Sequence, residues 1–124
     1  MKKIDWIIHT VPLEGPEGFF NSHTHGMEKY GHLDFQLVLP LHPQLTAEIL
    51  NTIGEEVQNG RKFKPGEYSK DVFTCEFRIK LYRESGRDVL RLIFPDPNMR
   101  FPEDPLCETS YKHQTVTVVE AYEH

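Results

Sequence analysis

Apolar and polar residues alternate along several short runs of this chain and follow a helical period along one. In IDWIIHTV (4–11), Ile4, Trp6 and Ile8 recur at every second position, which predicts an opening strand with those residues on one face. EGPEG (14–18) is a turn by its glycines and proline, and FFNSHTH (19–25) is extended as far as Gly26. FQLVLPL (35–41) directs Phe35, Leu37, Leu39 and Leu41 inward, and Pro40 either ends this strand or confines it to an edge. The helical period belongs to PQLTAEILNTIGEEVQNG (43–60), where Leu45, Ile49, Leu50, Ile53 and Val57 form an apolar stripe. Pro43 suits the first turn of that helix and Asn59-Gly60 its stop. Gly54 costs its interior about 1 kcal/mol relative to alanine and allows a close approach to the sheet.

KFKPGEYS (62–69) is a connecting loop. VFTCEFRIKLY (72–82) then alternates again, with Phe73, Cys75, Phe77, Ile79 and Leu81 inward and Thr74, Glu76, Arg78 and Lys80 outward. RESGRD turns the chain and VLRLIF (89–94) returns beside it as an antiparallel hairpin, while TVTVVEAY (115–122) predicts a final strand. Between them, PDPNMRFPEDPLCETSYKHQ (95–114) carries four prolines and no clear period. A loop of that length inside a small domain is commonly a lid or a binding loop. The pattern predicts one α+β domain over residues 1–124: a mostly antiparallel sheet with one main helix, about 43–60, packed on one face.

Composition narrows the function classes. A chain of 124 residues holds one hydrophobic core. Fourteen basic against nineteen acidic residues give a formal charge of -5, which opposes a nucleic-acid partner. No apolar run approaches the roughly 20 residues needed to span a bilayer, so no membrane partner is expected. Asp5 and His9 interrupt the start, MKKIDWIIHTV, which therefore does not read as a signal peptide; a cytoplasmic protein with reduced thiols is expected. Cys75 falls on an apolar face, whereas Cys107 sits in a polar loop where a reactive thiol is conceivable.

Several short motifs in order carry a resemblance. Gly26 is followed by YGHLD (30–34), then LN (50–51), GRKFKPGE (60–67) and LRLIFPDPNMRFPEDP (90–105). Over about residues 20–107 the chain resembles a largely bacterial, uncharacterised family, the domain-of-unknown-function family numbered 4262. Leu33-Asp34 stands where that family often has Pro-Glu, and Glu103 where a tryptophan often follows Phe-Pro. The resemblance implies one intact domain and carries no activity.

The candidate chemistry concentrates in FFNSHTHGMEKYGHLDFQ (19–36). Alternate residues of a strand share a face, so Asn21, His23 and His25 point together. Neutral imidazole is a common ligand for zinc and other first-row metals. His23, His25 and His32 are thus candidate metal ligands, with Asp34 as ligand, orienter or base. A second reading is a metal-free polar pocket for a small molecule, in which Asn21, His23, His25 and His32 are joined by Arg100 and Lys112 and the loop 95–114 closes over them. Arg91 is a further cation for an anionic ligand there. The catalytic candidates of either reading are His23, His25, His32, Asp34 and His113. A metal-independent two-histidine phosphoesterase is an alternative, because HQT (113–115) matches a His-x-Thr motif and HTH (23–25) offers His23 with His25 in place of the hydroxyl residue. Two further alternatives are histidines that only satisfy turns, and a homodimeric or protein-interaction module whose wet sheet face is its interface.

Overall fold

The computed structural model describes residues 4–12, 20–39, 41–73, 75–84 and 86–115. Its strands are β1 (Ile7–Pro12), β2 (Phe20–His25), β3 (Asp34–Leu39), β4 (Tyr68–Ser69), β5 (Phe77–Glu84) and β6 (Arg87–Ile93). They form one six-stranded sheet in the order β1-β2-β3-β6-β5-β4. Every pairing is antiparallel except β3 with β6. Parallel neighbours need a long crossover, and here it contains the main helix, α1 (Pro43–Gln58). The expected α+β fold, a mostly antiparallel sheet bearing one principal helix, is what the chain adopts. A short helix, α2 (Thr109–Lys112), runs into a 3-10 turn at His113–Thr115.

α1 starts at Pro43, where a missing N–H costs nothing, and His42 Nδ1 caps it by accepting the Gln44 N–H at 3.1 Å. Its buried residues are Thr46, Leu50, Ile53, Gly54 and Val57. Leu45, assigned to the stripe by periodicity, is 44% exposed, and Thr46 takes its place with its hydroxyl donating back to the helix carbonyls of His42 and Pro43. Leu50, Ile53 and Val57 of the helix join one apolar cluster with Phe35, Leu37 and Leu39 of β3, Leu90 and Leu92 of β6, Phe77 and Ile79 of β5, and Trp6 and Met27.

The close approach at Gly54 is made by Trp6, whose indole N–H donates to Asn51 Oδ1 at 2.9 Å. A Cβ at Gly54 would stand 2.6 Å from Trp6 Cζ2 and 2.8 Å from Cε2. That ring is held by its hydrogen bond and cannot swing away freely. Gly54→Ala should therefore be destabilising despite a better helix propensity, by about 1–2 kcal/mol once the overpacking cost exceeds the roughly 1 kcal/mol gain. Urea unfolding of the variant against wild type measures the sign.

Other boundaries shift for physical reasons. The alternation at 72–82 becomes strand only from Phe77; Val72, Phe73 and Cys75 pack against the core from an irregular segment. Leu81, expected inward, is 46% exposed, because among the described residues β4, on the outer side of β5, pairs with Arg78 and Phe77 and does not extend beside it. The final strand expected at 115–122 lies, after Thr115, outside the described residues.

The second face of the sheet is also covered. All six residues of β3 are buried, polar ones included. Gln114 reaches this face and donates to and accepts from the Phe94 backbone at 2.7 Å in each direction. Beneath it, Arg91 Nη1 donates to the Gln114 carbonyl at 2.9 Å, Arg91 Nε to Gln36 Oε1 at 2.8 Å, and Gln36 Nε2 to Asn21 Oδ1 at 2.9 Å. The Arg91 guanidinium also lies 3.6 Å from the Tyr82 ring centre. A row of hydrogen-bonded polar side chains therefore crosses the middle of the sheet on the side away from α1. Gln114, Arg91, Gln36 and Asn21 are linked by these bonds, which is the condition for tolerating polarity there, whereas the Tyr82 hydroxyl beside them is buried with no partner among the described residues.

Candidate metal centre

The antiparallel register of β1 and β2 sets His9 opposite His23 and Ile7 opposite His25. Opposed residues share a face, and so do residues two apart on a strand, so His9, His23 and His25 all project from the same side. His23 is in turn paired with Gln36, which fixes that side as the one facing away from Phe35 and α1. The imidazole centres are 4.5 Å apart for His9–His25, 4.8 Å for His23–His25 and 5.6 Å for His9–His23. One ring nitrogen from each lies within 4.8 Å of the others. Tetrahedral ligation at about 2.05 Å spaces ligand nitrogens about 3.3 Å apart, so small side-chain rotations close the trio on an ion.

The protonation states of the rings suit metal ligation. Burial, followed by the fields of His25, Arg87 and His9, lowers the His23 pKa to about 4 against the opposing pull of Asp34. Burial and then Arg87 and His9 lower that of His25, with Asp34 and Glu28 opposing. The His23 and His25 rings are accordingly neutral at pH 7, the form in which imidazole binds metal, and no proton must be displaced from them. His25 Nε2 is also buried without any hydrogen-bond partner among the described residues. A buried ring nitrogen in that condition is costly unless something occupies it.

Asp34 and Arg87 hold the strand between the two histidines. Asp34 Oδ1 accepts the Thr24 hydroxyl at 2.8 Å and the Met27 N–H at 3.1 Å, the latter reachable because Gly26, at φ 121°, turns the chain directly after His25. Asp34 Oδ2 accepts Arg87 Nη1 at 2.7 Å, and Arg87 Nη2 donates to the Thr24 carbonyl at 3.2 Å. The Asp34 side chain is 9% exposed and both its oxygens are engaged, with Thr24, Met27 and Arg87.

The remaining sequence candidates lie elsewhere. His32 packs on Phe35 and Phe63, on the helix side of the sheet. Its Nε2 accepts the Phe63 N–H at 2.9 Å and its Nδ1 sits 2.8 Å from the Leu33 carbonyl, so both nitrogens are occupied. The structure thus brings His23 and His25 together and substitutes His9 for His32. Asn21 shares the face of the trio but is committed to Gln36. Arg100 pairs with Asp96 at 3.4 Å within its own loop, where Asp96 also accepts the N–H groups of Asn98, Arg100 and Glu108. Lys112 donates to the Pro105 carbonyl at 3.0 Å. His113 caps α2, and the Thr115 hydroxyl of HQT donates to the Lys112 carbonyl at 3.0 Å from a 3-10 turn, not from a strand facing His23. Cys107 is buried, and that burial raises its thiol pKa, the opposite of what a reactive cysteine requires.

His9 and Arg87 were the residues that sequence patterns passed over. A signal for His9 existed in the sequence: position 16 is midway between His9 and His23, within the EGPEG run expected to turn, which lies outside the described residues; two strands paired antiparallel about that position would set them opposite, as the register does.

A family model described as a domain of unknown function, DUF4262, matches residues 1–108. No curated protein and no solved structure matches the chain. The matched span contains the whole sheet, α1, the trio, Asp34 and Arg87. The chain belongs to the DUF4262 family.

Proposed function

For this DUF4262 domain we propose a metal-binding function in which His9, His23 and His25 hold one divalent first-row ion, zinc being the best match to three imidazoles in a tetrahedral arrangement. The carrying observation is the convergence of these imidazoles from two adjacent strands, with ligand nitrogens within 4.8 Å. The orphaned His25 Nε2 supports the same reading. Three protein ligands leave one tetrahedral position open, which is the pattern of catalytic rather than purely structural zinc. Free Cys75 and Cys107 suit a cytoplasmic setting. Among the described residues, no helix is long and apolar enough to cross a membrane.

The test is zinc titration of the untagged protein by calorimetry, with native mass spectrometry for stoichiometry. Wild type should bind one ion, and His9→Ala, His23→Ala and His25→Ala should each weaken binding by about 100-fold or more, above the 10–100-fold typical of outer-sphere changes. His32→Ala should leave zinc affinity unchanged. Wild-type binding no tighter than that of the trio variants would sink the proposal.

A further inference from the structure

Arg87 stands in an unusual relation to the trio. Its side chain leaves the first residue of β6, at the end of the sheet where β2 finishes and β3 begins, and reaches back to the Thr24 carbonyl between His23 and His25. Two bonds fix it, Nη1 to Asp34 and Nη2 to Thr24. A guanidinium has five N–H groups in a rigid fork, so most of its donors have no acceptor among the described residues. The side chain as a whole is 32% exposed.

The charges at this end of the sheet do not balance around a cation. The imidazoles contribute none when neutral, and the Asp34 carboxylate is matched by Arg87 itself. A bound divalent ion would keep its full charge beside a guanidinium. The other carboxylate whose field reaches His25 is Glu28, exposed on the turn at Met27–Tyr30. Such a site favours an anion at the open position, and one with two oxygens can use both the ion and the Arg87 fork.

We infer that the trio and Arg87 together bind a small oxyanion, a carboxylate or phosphoryl group, with one oxygen at the open coordination position and another on the free N–H groups of Arg87. This rests on the metal reading and deepens it by naming the ligand class. Arg87 is then the residue that selects anionic over neutral ligands, and its ion pair with Asp34 supplies the pre-organisation that makes the fork effective.

The test uses the full chain loaded with one equivalent of Co2+, whose visible bands report its ligands. Acetate and inorganic phosphate are titrated separately at constant ionic strength. A saturable band shift is expected with one or both, acetate marking a carboxylate site and phosphate a phosphoryl site. Arg87→Gln should weaken that anion by 10-fold or more while leaving Co2+ affinity equal or tighter. Arg87→Lys keeps the charge beside Asp34 and loses the fork; it should fall between the two, and it carries the comparison if Arg87→Gln does not fold. Bands unmoved by either anion, or equal anion affinity in wild type and the variants, would overturn the inference while the metal reading stands. Absence of nitrogen-ligated Co2+ bands in wild type would remove the metal reading and this inference with it.

Discussion

Asp34→Ala is expected to lower the midpoint of thermal unfolding by about 10–15 °C, corresponding to about 3 kcal/mol for a domain of this size. The loss comes from groups that cannot find water. The Thr24 hydroxyl and the Met27 N–H both bond Asp34 Oδ1 in a buried setting, and Arg87 loses its one carboxylate partner among the described residues. Asp34→Asn separates the contributions, since its amide oxygen still accepts from Thr24 and Met27 while the charge is gone. Its stability loss should be about half as large. Zinc affinity should nonetheless fall in Asp34→Asn, because Arg87 then faces the cation without an offsetting carboxylate. Scanning calorimetry with zinc titration on both variants measures the two effects. If Asp34→Ala melted within a degree or two of wild type, the clamp between β2 and β3 described above would be wrong.

The second large effect is on pH dependence. The unfolded chain takes up a proton at His23 near pH 6.5, whereas the folded chain resists until about pH 4, chiefly because the ring is buried. Between those values the unfolded state binds more protons, so metal-free stability should fall as the pH falls. Full burial of the shift would correspond to about 3 kcal/mol; His23 is partly open to solvent, and screening reduces this to about 1–2 kcal/mol. His25, shifted the same way, adds to the slope. Asp71, lowered to about 2 by its bonds to Arg61 and Ser69, contributes only below the ordinary carboxylate range, so the window from pH 6.5 to 4.5 isolates the histidines. Urea midpoints of metal-free wild type and His23→Gln across that window are the measurement. The wild-type curve should be the steeper; equal slopes would contradict the buried neutral imidazole.

The fold was more legible than the site. Period-2 alternation located β3 and the β5–β6 hairpin, and the helical period located α1 to within two residues, because each of these elements has one face on the apolar cluster; β2, which contributes no residue to that cluster, showed only as an extended run ending at Gly26. The same logic could not foresee that β3 is buried on both sides, since Gln36 and Asp34 look solvent-facing until Arg91, Gln114 and Arg87 are brought to them from distant sequence. It could not separate His32 from the trio for a similar reason. His32 lies close to His23 and His25 in sequence, but the turn at Met27–Tyr30 carries it to the opposite face of the sheet, against Phe35. His9 was the converse case, remote in sequence and adjacent in space through strand register alone. Face and register, rather than proximity in sequence, decide which imidazoles meet.

Register also gives β1 a particular standing. Among the described residues it is the outermost strand on its side of the sheet, hydrogen-bonded within that sheet to β2, and His9 is its contribution to the trio. An ion held by His9 and by two residues of β2 would act as a rivet through the sheet margin, joining chain that is far apart in sequence. Fraying of that margin and departure of the ion would then be one event, so the retention time of the ion would report the opening rate of a β-strand.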